Sequence, residues 1–257
     1  MAEWITEGRG TGLFDLNFVY WIAAICSGLV VGFAKTGVVG TGVLAVPFFA
    51  MMFPAGASVG ILLPLLCMAD VMAVAYYRQH TRWQLLWPLL PWVALGIIGA
   101  DFIAPHIPDD LLQRIIGGIV ISMLIFAQWH RSKTVNWEGY GRVLRAGLGI
   151  LAGLTTMLAN AAGPVMTVYL LASRLPKQAF IGTGAWFFMI VNLFKFPFMV
   201  NRGIITGDSL LFDLKLLPAI LIGGLLGIFI VKRMNENLFR HAVSILAGLA
   251  ALKLLLF

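Results

Sequence analysis

Apolar residues run through this chain in ten stretches, at about 16–34, 43–53, 58–77, 83–104, 111–130, 143–159, 164–173, 180–200, 210–231 and 237–257, with short polar segments between them. A hydrocarbon core of about 30 Å takes about 20 helical residues at about 1.5 Å each. Most of the stretches match a full crossing, whereas 43–53 and 164–173 match about half of one. Each short stretch follows a patch of small and polar residues, Gly32–Gly42 before the first and Gly153–Pro164 before the second. Irregular backbone survives inside a bilayer only where protein buries it or it lines a cavity, because each unpaired amide costs several kcal/mol. The pattern predicts an all-α integral membrane protein in which each short stretch is a broken or re-entrant helix. Such breaks at matching positions in two halves are a sequence pointer to a transporter's binding site.

Composition agrees with that pattern. The chain is 60% hydrophobic and 11% charged over 257 residues, whereas a soluble domain is about a quarter charged. One transmembrane domain, 1–257, accounts for the whole length and leaves no room for a separate catalytic domain. A net charge of +7 would suggest nucleic acid in a soluble protein. Here the basic residues lie in short loops between apolar runs, where the positive-inside bias places them, so nucleic acid is excluded as a partner. Cys26 and Cys67 lie within apolar runs and read as small core residues. Residues 1–15, with Glu3, Glu7, Arg9 and Asp15, lack the basic start and apolar core of a secretion signal, so the N-terminus is expected to be retained.

Loop charge gives an orientation. If the chain changes side at every run, one side receives Arg78, Arg82, Arg131, Lys133, Arg142, Arg145, Arg174, Lys177, Lys232, Arg233 and Arg240, and the other only Arg9, Arg114, Arg202, Lys215 and Lys253. The first side is cytoplasmic, and both termini lie outside. Leaving the short runs out of the membrane weakens this bias. An odd number of crossings per half makes the second half enter from the opposite face, so 16–130 and 143–257 are expected to be inverted repeats of about five segments each, joined by the polar linker Arg131–Arg142. Loose echoes support a duplication: Gly28 and Gly32 with Gly149 and Gly153, Gly42 with Gly163, Gly96 and Gly99 with Gly224 and Gly227, and Asp70 with Asn192. Glycine pairs also serve close helix packing in membranes, which explains part of the same pattern.

The candidate chemistry lies in the breaks. Lys35, beside Thr36 and Gly37, would cost about 2.5–3.5 kcal/mol near the bilayer centre without a carboxylate, a cavity or an anion to meet it. The alternative is that it lies shallower and snorkels to the surface. Half-helices beginning after Gly42 and Gly163 would aim free amides and positive dipole ends at one depth. Two such ends and an ammonium make an anion site, with Gly40, Thr41, Gly42, Ala161 and Gly163 as its backbone and Thr36, Thr41, Thr155, Thr156 and Asn160 as further donors. Threonine and asparagine also tie membrane helices together, so each is weak alone. Lys195 sits inside an apolar run and either joins the site or pairs with Asp70 or Asp101. Those two aspartates are alternatively the proton carriers. Trp186, Phe187 and Phe188 either wall the cavity or pack among apolar neighbours.

Catalytic signatures are missing. The sequence has no HExxH, no CxxC and no GxxxxGK[ST], and His80, His106, His130 and His241 lie at four separate loop ends. No enzyme, metal or cofactor is predicted. The motifs GFAKTGVVGTGVLAVPFF at 32–49, TTMLANAAGPVMTVYLL at 155–171 and LPKQAFIGTGAWFFMIVNLFKFPF at 175–198 resemble the TauE/SafE family of sulfite and organosulfonate permeases. The family's more frequent first motif has three adjacent glycines, where this chain has Gly40-Thr41-Gly42. The resemblance spans about 17–257. It implies movement of sulfite, sulfonates or related small anions across the inner membrane without an ATPase subunit, and it supplies the sulfur that the residues themselves do not. The expected function is export by a secondary transporter using alternating access. An anion channel or a carrier of small carboxylates would use the same residues. The partners are the anion and membrane lipid, with a homodimer as a further candidate.

Overall fold

The computed structural model describes residues 18–37, 45, 49, 53, 55–103 and 141–245. All the regular elements among them are helical: α1 (Phe18–Thr36), α2 (Ala55–Tyr77), a 3-10 turn (Arg78–His80), α3 (Trp83–Leu86), α4 (Leu90–Ile103), α5 (Gly141–Ala159), α6 (Ala162–Ala172), α7 (Lys177–Asn201), α8 (Gly207–Lys215) and α9 (Leu217–Arg233). Residues 236–245 are also helical. Asn235 starts that helix, its Oδ1 accepting from the Leu238 N–H at 2.8 Å. The apolar stretch at 111–130, the linker, most of 43–53 and residues 246–257 lie outside the described residues.

Four described helices are long and apolar enough to cross a membrane, or five if α8 and α9 form one bent span. Large apolar side chains face outward, Phe18 and Val143 at 79% exposure, while Lys195, Asp70 and Asp213 are enclosed. That inversion of the soluble pattern suits a protein solvated by lipid.

Three boundaries differ from the apolar pattern. α1 runs on through Lys35 and Thr36 before turning at Gly37, so Lys35 belongs to a helix end and not to the irregular stretch. The stretch 83–104 is two helices, because Pro88 and Pro91 lack the N–H groups that a continuous helix would bond there. The stretch 210–231 breaks at Leu216, and α8 meets α9 at 49°. Pro218 stands in the first turn of α9, where its missing N–H is harmless, but it cannot continue α8.

Packing is reciprocal between the ends of the chain and its middle. α1 lies on α9 through Gly32, where a Cβ would overlap the Ile220 carbonyl oxygen. α5 lies on α4 through Gly153, where a Cβ would overlap the Val93 carbonyl oxygen. Small residues let membrane helices approach backbone to backbone, where lipid supplies no hydrophobic drive. Between these pairs α2 and α7 run antiparallel: Gly182 meets Tyr77, Asn192 meets Asp70, and Gly60 meets Met199. Thr81 Oγ1 donates to the Gly182 carbonyl, and the Arg82 N–H donates to Thr183 Oγ1 at 3.0 Å, joining the carboxyl end of α2 to the amino end of α7.

Substitution separates close-contact glycines from incidental ones. Gly32→Ala and Gly153→Ala are each expected to cost about 1–3 kcal/mol or more by overpacking against backbone that cannot move away. Gly99→Ala, whose Cβ would meet nothing within 4 Å, is expected to leave stability unchanged or slightly raised. Thermal unfolding of the three variants in detergent checks the order.

Candidate functional site

One face of α7 carries Phe188, Asn192 and Lys195 at i, i+4 and i+7, so the three side chains line up along the helix. Each meets a residue from another part of the chain. Asn192 Nδ2 donates to Asp70 Oδ2 at 2.6 Å, and Lys35 Nζ lies 2.7 Å from Asp70 Oδ1. The same ammonium stands 4.2 Å from the centroid of the Phe188 ring, a cation–π contact. Lys35 is 8% exposed, so it neither snorkels nor stands free. Its charge is matched by a carboxylate that Asn192 holds in place.

Lys195 is 0% exposed and is bound differently. Its Nζ donates to Asn160 Oδ1 at 2.6 Å, to the Thr156 carbonyl at 2.7 Å and to Thr156 Oγ1 at 3.2 Å. An ammonium has three donors, and all three go to uncharged acceptors. No carboxylate pairs with Lys195 among the described residues. The expected alternative partners are engaged elsewhere, Asp70 with Lys35 and Asp101 with Arg202.

Local backbone explains where those acceptors lie. α5 stops at Ala159, and Asn160 adopts φ 51°, a left-handed conformation that asparagine tolerates better than most residues. The Ala161 N–H turns back to the Thr155 carbonyl and the Asn160 N–H to the Thr156 carbonyl, each at 3.0 Å. The last carbonyls of a helix lack intrahelical partners, and a cation there complements the negative dipole end. Lys195 fills that role. α6 begins one residue later at Ala162, with Ala161 offering no side-chain cap. Its amino end is buried together with Ala161 and Gly163. Asn160 Nδ2 donates to the Val59 carbonyl at 2.8 Å, tying the break to α2.

The other predicted residues fall into separate groups. Thr36 Oγ1 donates to the carbonyls of Gly32 and Gly224, at 3.1 and 2.7 Å, and joins α1 to α9. Thr155 Oγ1 donates to Leu151 and Ala152 within its own helix. Asp101 forms its ion pair, partly exposed, where α4 and α7 end, apart from Lys195. Of the three aromatics, Phe188 touches Lys35, while Phe187 is buried in the core and Trp186 packs on Trp83. Cys26 and Cys67 are free. Gly40, Thr41 and Gly42 lie outside the described residues. Sequence reasoning undervalued Asn192, noted only as an echo of Asp70, although its position three residues before Lys195 puts both on one helix face.

Long lipid-facing helices around a polar, charged interior, one of them interrupted beside a buried lysine, define a multi-pass membrane transport protein. The sequence matches the family described as "Sulfite exporter TauE/SafE" over residues 24–254. The chain belongs to that family of membrane sulfite exporters. No curated protein and no solved structure matches it.

The Lys35–Asp70 pair gives a stability test. Asp70→Asn leaves a buried ammonium unmatched and is expected to cost about 3–5 kcal/mol, whereas Lys35→Met with Asp70→Leu, which removes both charges, is expected to recover most of that loss. Melting temperatures of the single and double variants decide it.

Proposed function

We propose that this chain is a secondary transporter that exports a small sulfur oxyanion, sulfite or an organosulfonate, across the cytoplasmic membrane by alternating access, without chemical change to the anion. The observation that carries this reading is Lys195: a fully buried ammonium with three neutral partners and no carboxylate among the described residues. A buried charge needs a counter-charge, and an anion beside Lys195 supplies one. The amino end of α6, which begins at Ala162 without a side-chain cap, adds the N–H groups of a helix's first turn and a positive dipole end. Asn160 and Thr156 hold the ammonium in the empty site and orient it toward the guest. Gly40, Thr41 and Gly42 are proposed to supply the matching amino end from the first half. Lys35, first expected to hold the anion, is better read as the partner of Asp70, and Thr36 and Thr155 as packing residues.

Alternating access in this reading rocks two inverted halves, 16–130 and 143–257, against each other. The packing supports it. The first long helix of each half lies on a later helix of the other, α1 on α9 and α5 on α4, each through its own glycines. The third helices, α2 and α7, meet each other, and their contact Asp70–Asn192 joins positions 122 residues apart, close to the 121-residue spacing of Gly32 and Gly153.

In proteoliposomes, Lys195→Gln is expected to weaken sulfite affinity by about 10- to 100-fold, the equivalent of a charge-assisted hydrogen bond worth about 1.5–3 kcal/mol. Lys195→Arg is expected to retain part of it. Parental affinity in the glutamine variant would remove Lys195 from the site. Accumulation of sulfite against its gradient separates a carrier from a channel.

A further inference from the structure

α8 turns Leu210, Leu211 and Leu214 outward and Ser209, Phe212 and Asp213 inward. Asp213 is 0% exposed, and neither carboxyl oxygen has a hydrogen-bond partner among the described residues. This separates it from the other two described intramembrane aspartates, for Asp70 has Lys35 and Asn192, and Asp101 has Arg202. The helices around it offer no substitute. α1 brings Tyr20, Cys26 and Lys35, α2 brings Cys67, Asp70, Tyr76 and Tyr77, α9 has no ionisable residue before Lys232, and α8 itself has Asp208 and Lys215. None of them bonds to the Asp213 carboxylate among the described residues. Cys67, three residues before Asp70 on α2, lies within electrostatic reach of Asp213 and also of Asp70, Lys35 and Lys195. Among the described residues, the carboxylate with no hydrogen-bond partner and the ammonium with no carboxylate partner therefore both lie near Cys67 of α2.

We propose that Asp213 is the proton-binding group of the transport cycle and that one proton travels with each monovalent anion. The proposal rests on the anion site at Lys195. With Lys35 matched by Asp70, the described interior is electrically neutral in two loading states. In one the site is empty, with Lys195 an ammonium and Asp213 a carboxylate. In the other an anion sits beside Lys195 and Asp213 has taken one proton from water to become the carboxylic acid; no other bond is made or broken. Carrying an unbalanced charge through a low-dielectric interior is costly, so these are the two states that reorient readily. The 49° break between α8 and α9 comes three residues after Asp213. It provides a joint about which α8 can tilt and expose the carboxyl group to water.

A neutral residue at position 213 splits the cycle in a particular way. The loaded carrier stays neutral, but the empty carrier is left with the charge of Lys195 and returns slowly. In proteoliposomes Asp213→Asn, and Asp213→Leu as a second variant without polar atoms, are expected to exchange labelled for unlabelled sulfite while net sulfite efflux falls tenfold or more. In the parent, net efflux is expected to alkalinise the lumen, read with an enclosed pH dye against protein-free vesicles. Net efflux with parental proton movement in either variant would overturn the proposal. A second measurement needs no anion: on acidification of the anion-free protein, the infrared band of a protonated buried carboxyl group is expected to grow in the parent and Asp70→Asn proteins and to be missing in both position-213 variants. If the band persists in those variants, Asp213 is not the proton site. If the parent moves no sulfite, the transport reading fails, and the infrared result still decides Asp213.

Discussion

An ammonium group sealed from water must be answered by something, and the arrangement around Lys195 follows from that constraint. Its three protons are met by a helix-terminal carbonyl, a hydroxyl and an amide oxygen. Thr156 lies in the last turn of α5, where its carbonyl accepts from the Asn160 N–H and from Lys195 together. The break therefore sets the negative end of α5 and the Asn160 amide oxygen beside the cation, and α6 starts three residues after α5 stops. Neutral acceptors satisfy the hydrogen bonds of Lys195 without cancelling its charge.

Precision at that point depends on packing farther away. α7 carries both Asn192 and Lys195, so any shift of this helix disturbs the Asp70 and Asn160 contacts together. α2 holds its other side, receiving Asn160 at the Val59 carbonyl and supplying Asp70 along its length. The glycine contacts of α1 on α9 and of α5 on α4 allow backbone-to-backbone approach, bringing the ends of α1 and α5 against the central pair. Lipid contributes no hydrophobic drive between helices, so close fit and a few polar ties carry this positioning.

The membrane character, the half-length helix α6 and the break before it were legible because they change residue class: glycine, threonine and asparagine interrupt an apolar run. The breaks near Pro88 and at Leu216 were not, since apolar residues continue on both sides and the hydrophobic pattern passes over them. Lys35 read as irregular for the opposite reason, its glycine-rich neighbourhood hiding a helix that continues to Thr36. Pairing was the least legible feature. Two lysines and two aspartates in apolar runs allow several matches, and which ammonium meets Asp70 depends on the register of α2 against α7, which composition does not contain. Asp213 was passed over because it stands beside Lys215 near the start of a run, where it resembles an interfacial charge; only the helix rotation shows that Asp213 points in while Leu214 points out.

The surroundings of Lys35 and Lys195 are not equivalent, and in the proposed reading that difference matters for anion binding. In the first half an ammonium on the first helix reaches a carboxylate on the third, Lys35 to Asp70. In the second half the direction is reversed: the ammonium stands on the third described helix of that half, α7, and reaches neutral acceptors at the end of the first, α5. If the halves descend from one repeat, the ancestral contact between helix end and neighbouring helix has been kept in both places with different charge balance. One copy is self-neutralising and ties helices together. The other retains a net positive charge that an incoming anion can cancel. A symmetric pair of closed ion pairs would hold the helices together equally well and would give a small anion no electrostatic reason to enter.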